Sequence, residues 1–196
     1  MIRAFYGIDT NPFAIDQKIS LLSHQQEVFD VLKVHTRQGG FCLLMGEPGT
    51  GKTIIKNAIG DTADRTTLVV HVARTMHTYF HTVKILCQAL NVDQDGSPFK
   101  CEKRLIEEAF NLHRHGKALI VIIDDAHLMD MDTLRRLRLL FEDFPKSHNI
   151  ILSGQTQLLH NLALKVNDDL KSRVTYSTIL KKLTADDMAQ FITSQL

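Results

Sequence analysis

The sequence has no tryptophan, only three cysteines and four prolines in 196 residues, and almost no net charge. Its 23 basic and 22 acidic residues give a formal charge of +1, so no overall field attracts the chain to nucleic acid or to an anionic membrane. No apolar run reaches the roughly 18 residues of a membrane span, and the N-terminus lacks the apolar segment of a signal peptide. The cysteines form no C-x-x-C pair and are expected to be free thiols. These absences predict a cytoplasmic protein without a membrane partner.

The residues that are present predict one α/β domain. With 44% hydrophobic and 23% charged residues, the chain can bury a core without disulfides or a structural metal. Short apolar runs predict buried parallel strands at Phe41 to Met45, Thr67 to Val72, Ala118 to Ile123 and Asn149 to Leu152. Helical patterns occur at Gln25 to Arg37, Lys52 to Ile59, His77 to Leu90, Glu102 to His115 and Thr133 to Phe144. Their alternation predicts a parallel sheet covered by helices on both faces, with ligands bound beyond the carboxyl ends of the strands.

A glycine-rich segment follows the first predicted strand and opens a helical pattern. It matches G-x-x-x-x-G-K-[ST] and reads Gly46-Glu47-Pro48-Gly49-Thr50-Gly51-Lys52-Thr53. The glycines allow consecutive backbone N–H groups to surround phosphates together with the helix N-terminus. Lys52 is expected to reach the β- and γ-phosphates, and the Thr53 hydroxyl to bind Mg²⁺. The segment therefore predicts an ATP site formed by all eight residues.

Two acidic residues follow the third predicted strand. The apolar run ending at Ile123 continues into Asp124-Asp125, which predicts that both carboxylates lie at the same edge of the sheet as the glycine-rich segment. We expect Asp124 to hold Mg²⁺, usually through water, and Asp125 to orient or deprotonate the water that attacks the γ-phosphate. Together the two segments predict ATP hydrolysis.

Several segments resemble the AAA+ ATPases, in particular the ExeA-like branch that includes TniB-like and TnsC-like transposition helpers. Beside the two site motifs, the similar segments are Phe5-Tyr6-Gly7-Ile8 with Asn11-Pro12-Phe13, Asn149 to Gln155, Leu170 to Val174, and Leu183 to Ile192. The resemblance implies a P-loop three-layer α/β sandwich over residues 1–180, followed by the start of a helical lid at 181–196 that is truncated.

The resemblance also implies roles for three further residues. Phe13 would lie near the adenine, Gln155 near the γ-phosphate, and Arg173 would be an arginine finger that completes the site of a neighbouring subunit. A homo-oligomer follows from the last assignment. The chain departs from the family in carrying Asp125 where AAA+ proteins usually have glutamate, which is one methylene longer, so slow hydrolysis is expected.

Three functions are compatible with this resemblance. The first is a nucleotide-switched helper or regulator of transposition that assembles on duplex DNA and recruits a transposase; its DNA contacts are expected at Arg74, Lys84, Lys100, Lys103 and Arg104. The second is an ExeA-like ATPase that assembles a secretion apparatus. The third is a nucleotide-dependent scaffold that does not hydrolyse ATP, for which Asp125 is the indication.

Overall fold

The computed structural model describes residues 21–72 and 78–195. The helices are α1 Ser23–Gln38, α2 Lys52–Asp61, α3 Tyr79–Ala89, α4 Pro98–Arg114, α5 Met131–Glu142, α6 Gln157–Leu162, α7 Asp168–Lys171 and α8 Ala185–Gln195. The strands are β1 Gly40–Gly46, β2 Thr67–Val72, β3 Ala118–Ile123, β4 Asn149–Gly154 and β5 Val174–Leu180. Two short 3-10 turns lie at Ala126–Leu128 and Lys165–Asn167.

The strands form one parallel sheet in the order β2-β3-β4-β1-β5. The register pairs Met45 of β1 with Gly154 of β4, and Ile123 of β3 with Leu152 of β4. The carboxyl ends of β1, β4 and β3 therefore lie side by side. This arrangement places the glycine-rich segment and the acidic pair at the same edge, as the alternation of strands and helices predicted.

Alternate residues of each central strand enter two separate cores. Phe41, Leu43 and Met45 pack with α3, α4 and α5 on one face, whereas Cys42 and Leu44 pack with α1 and α2 on the other. Burial on both faces explains why the central strands are continuous apolar runs rather than alternating ones. The result is the expected three-layer α/β sandwich.

The structure corrects the sequence-based boundaries in two places. The helical pattern was expected to begin at Glu102, but α4 already begins at Pro98. The Ser97 hydroxyl accepts a hydrogen bond from the backbone N–H of Lys100 at 3.4 Å, and proline is favoured in the first helical turn. In addition, β5 was not predicted as a strand. Its residues alternate between partly buried and exposed because it lies at the sheet edge.

The C-terminal segment forms the helix that the family resemblance implied. The Thr184 hydroxyl accepts a hydrogen bond from the backbone N–H of Asp187 at 3.1 Å, and the Asp187 carboxylate accepts from the Thr184 backbone at 2.9 Å. This reciprocal pair caps the start of α8. That α8 begins a lid, and that the core ends near residue 180, remain predictions. Across residues 21–72 and 78–195, no helix has the length and apolar character needed to cross a membrane.

Candidate functional site: a phosphate loop facing an acidic strand end

The loop between β1 and α2 depends on glycine at three positions. Gly49 and Gly51 have φ angles of +81° and +92°, in the left-handed region that other residues rarely adopt. Gly46 is required for a different reason, because a Cβ there would lie 2.5 Å from the Oγ1 atom of Thr50. Thr50 is buried and its hydroxyl donates a hydrogen bond to the Glu47 carbonyl at 2.9 Å. The tight turn leads directly into the first residue of α2.

Lys52 lies across this loop. Its Nζ atom donates hydrogen bonds to the carbonyl oxygens of Gly46 at 2.6 Å and of Glu47 at 2.9 Å. Burial lowers the pKa of Lys52, while the nearby carboxylates of Asp124 and Asp125 act to raise it. The ammonium group and the N-terminus of α2 thus place positive charge at the mouth of the loop, which suits a polyphosphate.

A buried glutamine supports the loop from α1. Gln25 is only 1% exposed, and its Oε1 atom accepts a hydrogen bond from the Leu22 backbone at 3.1 Å. Its Nε2 atom donates to the Thr50 carbonyl at 3.4 Å, and a Cβ on Gly51 would lie 2.3 Å from the same nitrogen. Gln25 therefore fixes the loop backbone. Sequence reasoning missed it, because a glutamine near the start of an amphipathic helix resembles an ordinary surface residue.

The acidic pair lies directly beyond the end of β3. The Oδ1 atom of Asp124 accepts a hydrogen bond from the Asp125 backbone N–H at 3.0 Å. Asp125 is exposed and adopts a left-handed conformation with φ 51° and ψ 32°. Aspartate and asparagine tolerate this conformation better than most residues, because their short polar side chains can bond locally. The two aspartates that the sequence singled out are thus brought to the P-loop edge in different environments.

Asp124 has a partner that the sequence analysis did not identify. Lys56, in the second turn of α2, is 6% exposed, and its Nζ atom donates a hydrogen bond to the Oδ2 atom of Asp124. Burial acts to raise the pKa of Asp124, but the hydrogen bond and charge of Lys56, together with hydrogen bonds from the Asp125 backbone and Ser153, lower it below its usual value. Lys52 and Lys56 are four residues apart on one helix face, but this spacing alone does not indicate a carboxylate partner.

The end of β4 completes the edge between the loop and the acidic pair. Gln155, expected near the γ-phosphate, directly follows Gly154 there. A Cβ on Gly154 would lie 3.1 Å from the backbone nitrogen of His127, so glycine permits close contact with the segment after Asp125. Thr156 connects this end to the loop, because its hydroxyl donates to the Oε1 atom of Glu47 at 3.3 Å.

One of the expected site residues that the structure describes, Arg173, is not part of this constellation. Phe13 lies outside the described residues. Arg173 precedes β5 at the amino ends of the strands, where its Nε atom is 3.2 Å from the Oε1 atom of Glu142. Its side chain is 61% exposed. Arg173 is therefore placed at the edge opposite its own phosphate loop, and its assignment as a finger for a neighbouring subunit remains a prediction.

The side chains at the P-loop edge fit ATP and Mg²⁺. The loop leaves open space at Gly49, where a Cβ atom would meet no other atom within 4 Å. The Lys52 ammonium lies against the same loop. The hydroxyl of exposed Thr53 and the carboxylates of Asp124 and Asp125 are hard oxygen ligands of the kind that Mg²⁺ prefers. In the part of the chain that the structure describes, no cluster of three or more His, Cys, Asp or Glu residues could hold a metal by itself. Bound Mg²⁺ would accordingly depend on the phosphate oxygens of the nucleotide.

The fold and the loop together define a P-loop nucleotide-binding protein of the three-layer α/β class. Within that class the chain belongs to the family described as "AAA domain", whose model matches residues 35–162. The sequence-based expectation of an AAA+ protein is thereby confirmed.

A curated relative agrees with the ExeA-like branch of that expectation. General secretion pathway protein A of Aeromonas hydrophila is 26% identical over 207 residues, and the alignment covers 100% of this chain. The chain spans 38% of the length of that relative.

Solved structures with the same fold include archaeal proteins. The ORC2 protein of Aeropyrum pernix, in ADPNP-ADP complexes, has a TM-score of 0.71 and 13% identity, covering 95% of this chain and 55% of its own. Cdc6p from Pyrobaculum aerophilum has a TM-score of 0.68 and 18% identity, covering 94% and 52%. The ORC1 protein of Aeropyrum pernix, in complex with DNA, has a TM-score of 0.64 and 17% identity, covering 94% and 52%. At these identities the likeness shows the fold alone.

Proposed function

We propose that this chain is an ATP-binding and ATP-hydrolysing AAA+ module whose nucleotide state controls an assembly. The observation that carries the proposal is the convergence of the Lys52 loop and the Asp124-Asp125 strand end at one edge of the sheet. Membership of the AAA domain family supports nucleotide hydrolysis as the general chemistry.

Each residue at this edge receives a distinct role. Lys52 leaves the Gly46 and Glu47 carbonyls to bind the β- and γ-phosphates, and the loop N–H groups bind the remaining phosphate oxygens. Asp125 orients the attacking water and accepts its proton. Gln155 positions the γ-phosphate from the end of β4. The Thr53 hydroxyl and the Asp124 carboxylate would hold Mg²⁺, which would neutralise phosphate charge when bound.

The Lys52→Ala variant tests the site. ATP affinity should fall on the order of a hundredfold, because a charge-assisted hydrogen bond contributes about 1.5–3 kcal/mol. Titration calorimetry measures the change. Lys103→Ala, which removes an exposed lysine paired with Glu107 at 3.9 Å, is the matched control and should bind ATP as the unaltered chain does. Unchanged ATP affinity in Lys52→Ala would exclude this loop as the site.

The assembly that this module controls is proposed to belong to a secretion apparatus, with the alternative of a DNA-bound transposition complex. The alignment of the whole chain with General secretion pathway protein A favours secretion. Of the residues expected to contact DNA, Lys84 and Arg104 already have partners within the chain. Lys84 lies 4.7 Å from the Phe80 ring centroid, and Arg104 lies 2.9 Å from Asp93. Arg74 lies outside the described residues.

Salt-dependent DNA binding separates the two roles. If the DNA role holds, the protein should bind duplex DNA without sequence preference only when a non-hydrolysable ATP analogue is present. Replacing Arg74 and Lys103 together should then flatten the slope of log affinity against log salt by about two units per subunit engaged. Fluorescence anisotropy at several salt concentrations measures this slope. No nucleotide-dependent DNA binding would leave the secretion role as the function, whereas binding with the expected slope would replace it with the transposition role. A non-hydrolysing scaffold would be indicated if the protein bound ATP without turnover.

A further inference from the structure

The most unusual side chain of the site is a lysine buried beside a carboxylate that is expected to hold Mg²⁺. Helix α2 turns Ile55 and Ile59 into the core shared with β1, and Lys56 is buried with them. The Lys56 side chain is 7% exposed, whereas that of Asp124 is 30% exposed. An unpaired ammonium group at such a position would be strongly disfavoured, so Lys56 depends on its carboxylate partner.

Both oxygens of the Asp124 carboxylate accept a hydrogen bond. Its Oδ2 atom accepts from Lys56, and its Oδ1 atom accepts from the Asp125 backbone N–H at 3.0 Å. Lys56 therefore neutralises the carboxylate from inside the protein. The charge of Lys56 also acts on two nearby residues. Burial is the main cause of the lowered pKa of His71, and the charge of Lys56 lowers it further. The same charge acts to lower the pKa of Lys52.

We infer that Lys56 is a built-in cation that competes with Mg²⁺ for Asp124, so that ATP binding by this chain depends only weakly on Mg²⁺. The inference rests on the proposed function, because it assigns a property to the same nucleotide site. A divalent ion near Asp124 would meet a carboxylate whose charge Lys56 already neutralises and whose Oδ2 atom already accepts a hydrogen bond from the lysine. While Lys56 remains in place, its charge already offsets the repulsion between Asp124 and the phosphates of ATP.

The Lys56→Met variant tests this inference, because methionine keeps the length and apolar stem of lysine but removes the charge. Dissociation constants for ATP are measured by titration calorimetry in excess chelator and in excess Mg²⁺. For the unaltered chain the two constants should differ by less than about threefold. In Lys56→Met, ATP binding in chelator should weaken by about tenfold, while binding in Mg²⁺ should be retained. The ratio of the two constants therefore increases by about the same factor.

Two further variants make the result specific. Lys103→Met removes a lysine whose side chain is 70% exposed, and it should leave the ratio unchanged. Lys56→Gln keeps a hydrogen-bond donor without the charge, and it should show the increased ratio. It replaces Lys56→Met if circular dichroism shows that the methionine variant is unfolded. The part of Asp124 that is exposed to water allows either variant to keep a hydrated carboxylate.

The outcomes separate this inference from the function on which it rests. An equal ratio in the unaltered chain, Lys56→Gln and Lys103→Met would overturn the competition between Lys56 and Mg²⁺ while leaving ATP binding established. A strong Mg²⁺ requirement in the unaltered chain would also overturn it. Absence of ATP binding by the unaltered chain under both conditions would overturn the proposed function, and this inference with it.

Discussion

The two edges of the sheet carry charged residues in different ways. At the carboxyl edge, Lys56 and Asp124 form a largely buried pair, and Lys52 is held by loop carbonyls. At the amino edge, Arg173 contacts Glu142 at 3.2 Å in an exposed pair. Beside that pair lies a cleft of about 380 Å³ lined by aromatic and basic side chains, which include Arg138, Phe141, Phe144, Lys146 and His148.

This difference indicates which charges the monomer needs for its own fold and which remain available to a partner. A buried charge loses its water, so removing its partner is costly to the folded state. An exposed pair contributes little to stability, because solvent screens it. The carboxyl edge should therefore respond to substitution in the isolated chain, whereas the amino edge should respond only when another molecule covers it.

The substitution Arg173→Ala provides the strongest test of this contrast. If Arg173 acts in a neighbouring subunit, ATP turnover by the assembled protein should fall on the order of a thousandfold, as expected for an arginine finger supplied in trans. ATP affinity and the melting temperature of the monomer should not change. The measurements are steady-state phosphate release by the assembled protein and calorimetric ATP binding by the monomer.

Glu142→Gln is the matched control for Arg173→Ala, since it removes the observed partner but keeps the arginine. It should retain turnover. An equal loss of monomer ATP binding in Arg173→Ala would show that Arg173 acts in its own subunit, and the contrast between the two edges would then fail.

The substitution Asp124→Asn tests the carboxyl edge in the isolated chain. It leaves the Lys56 ammonium without its carboxylate, and we expect the free energy of unfolding to fall by about 2 kcal/mol, less than for a fully buried pair because Asp124 is partly exposed. In a Lys56→Met background the same substitution should cost close to nothing. Urea unfolding of the four proteins of this double-mutant cycle measures the coupling.

An exposed ion pair gives the comparison for that cycle. Glu107→Gln removes the partner of Lys103 in a pair whose side chains are 70% and 64% exposed, and it should cost less than about 0.5 kcal/mol. Equal costs for Asp124→Asn with and without Lys56 would mean that the lysine does not stabilise the carboxylate.

The sequence predicted those parts of the site whose chemistry is local. The phosphate loop is eight consecutive residues, and the acidic pair follows a buried apolar run, so both could be recognised without knowing which strands are neighbours. The three central strands were also predictable, because burial on both faces leaves continuous apolar sequences, and the edge strand β2 was found because its run Thr67–Val72 is also largely apolar. Strand β5 was missed, since an edge strand with alternating burial contains Thr175, Ser177 and Thr178 among its apolar residues.

The parts that were missed depend on contacts between distant positions. Lys56 and Asp124 are 68 residues apart, and Glu47 and Thr156 are 109 apart. Gln25 meets the phosphate loop only after α1 has packed beside α2. No local pattern distinguishes these polar residues from solvated ones. The i,i+4 spacing of Lys52 and Lys56 was visible, but only the position of β3 shows that this helix face meets a carboxylate.

The substitution Asp125→Glu should give the smallest effect, and it separates reach from backbone conformation at the carboxyl edge. Glutamate restores the side-chain length usual in the family, so ATP hydrolysis should become a few-fold faster. However, Asp125 has a φ of 51°, a conformation that aspartate tolerates better than glutamate. The melting temperature should therefore fall by about 2–4 °C, corresponding to about 1 kcal/mol for a chain of this size.

Asp125→Asn is the control for Asp125→Glu, because asparagine keeps the tolerance of positive φ but cannot accept a proton. This variant should retain the melting temperature and hydrolyse ATP more slowly. Phosphate release and differential scanning calorimetry on the three proteins measure both effects. If turnover were the same in all three, Asp125 would not position the attacking water, and the exposed aspartate would serve only to turn the chain after β3.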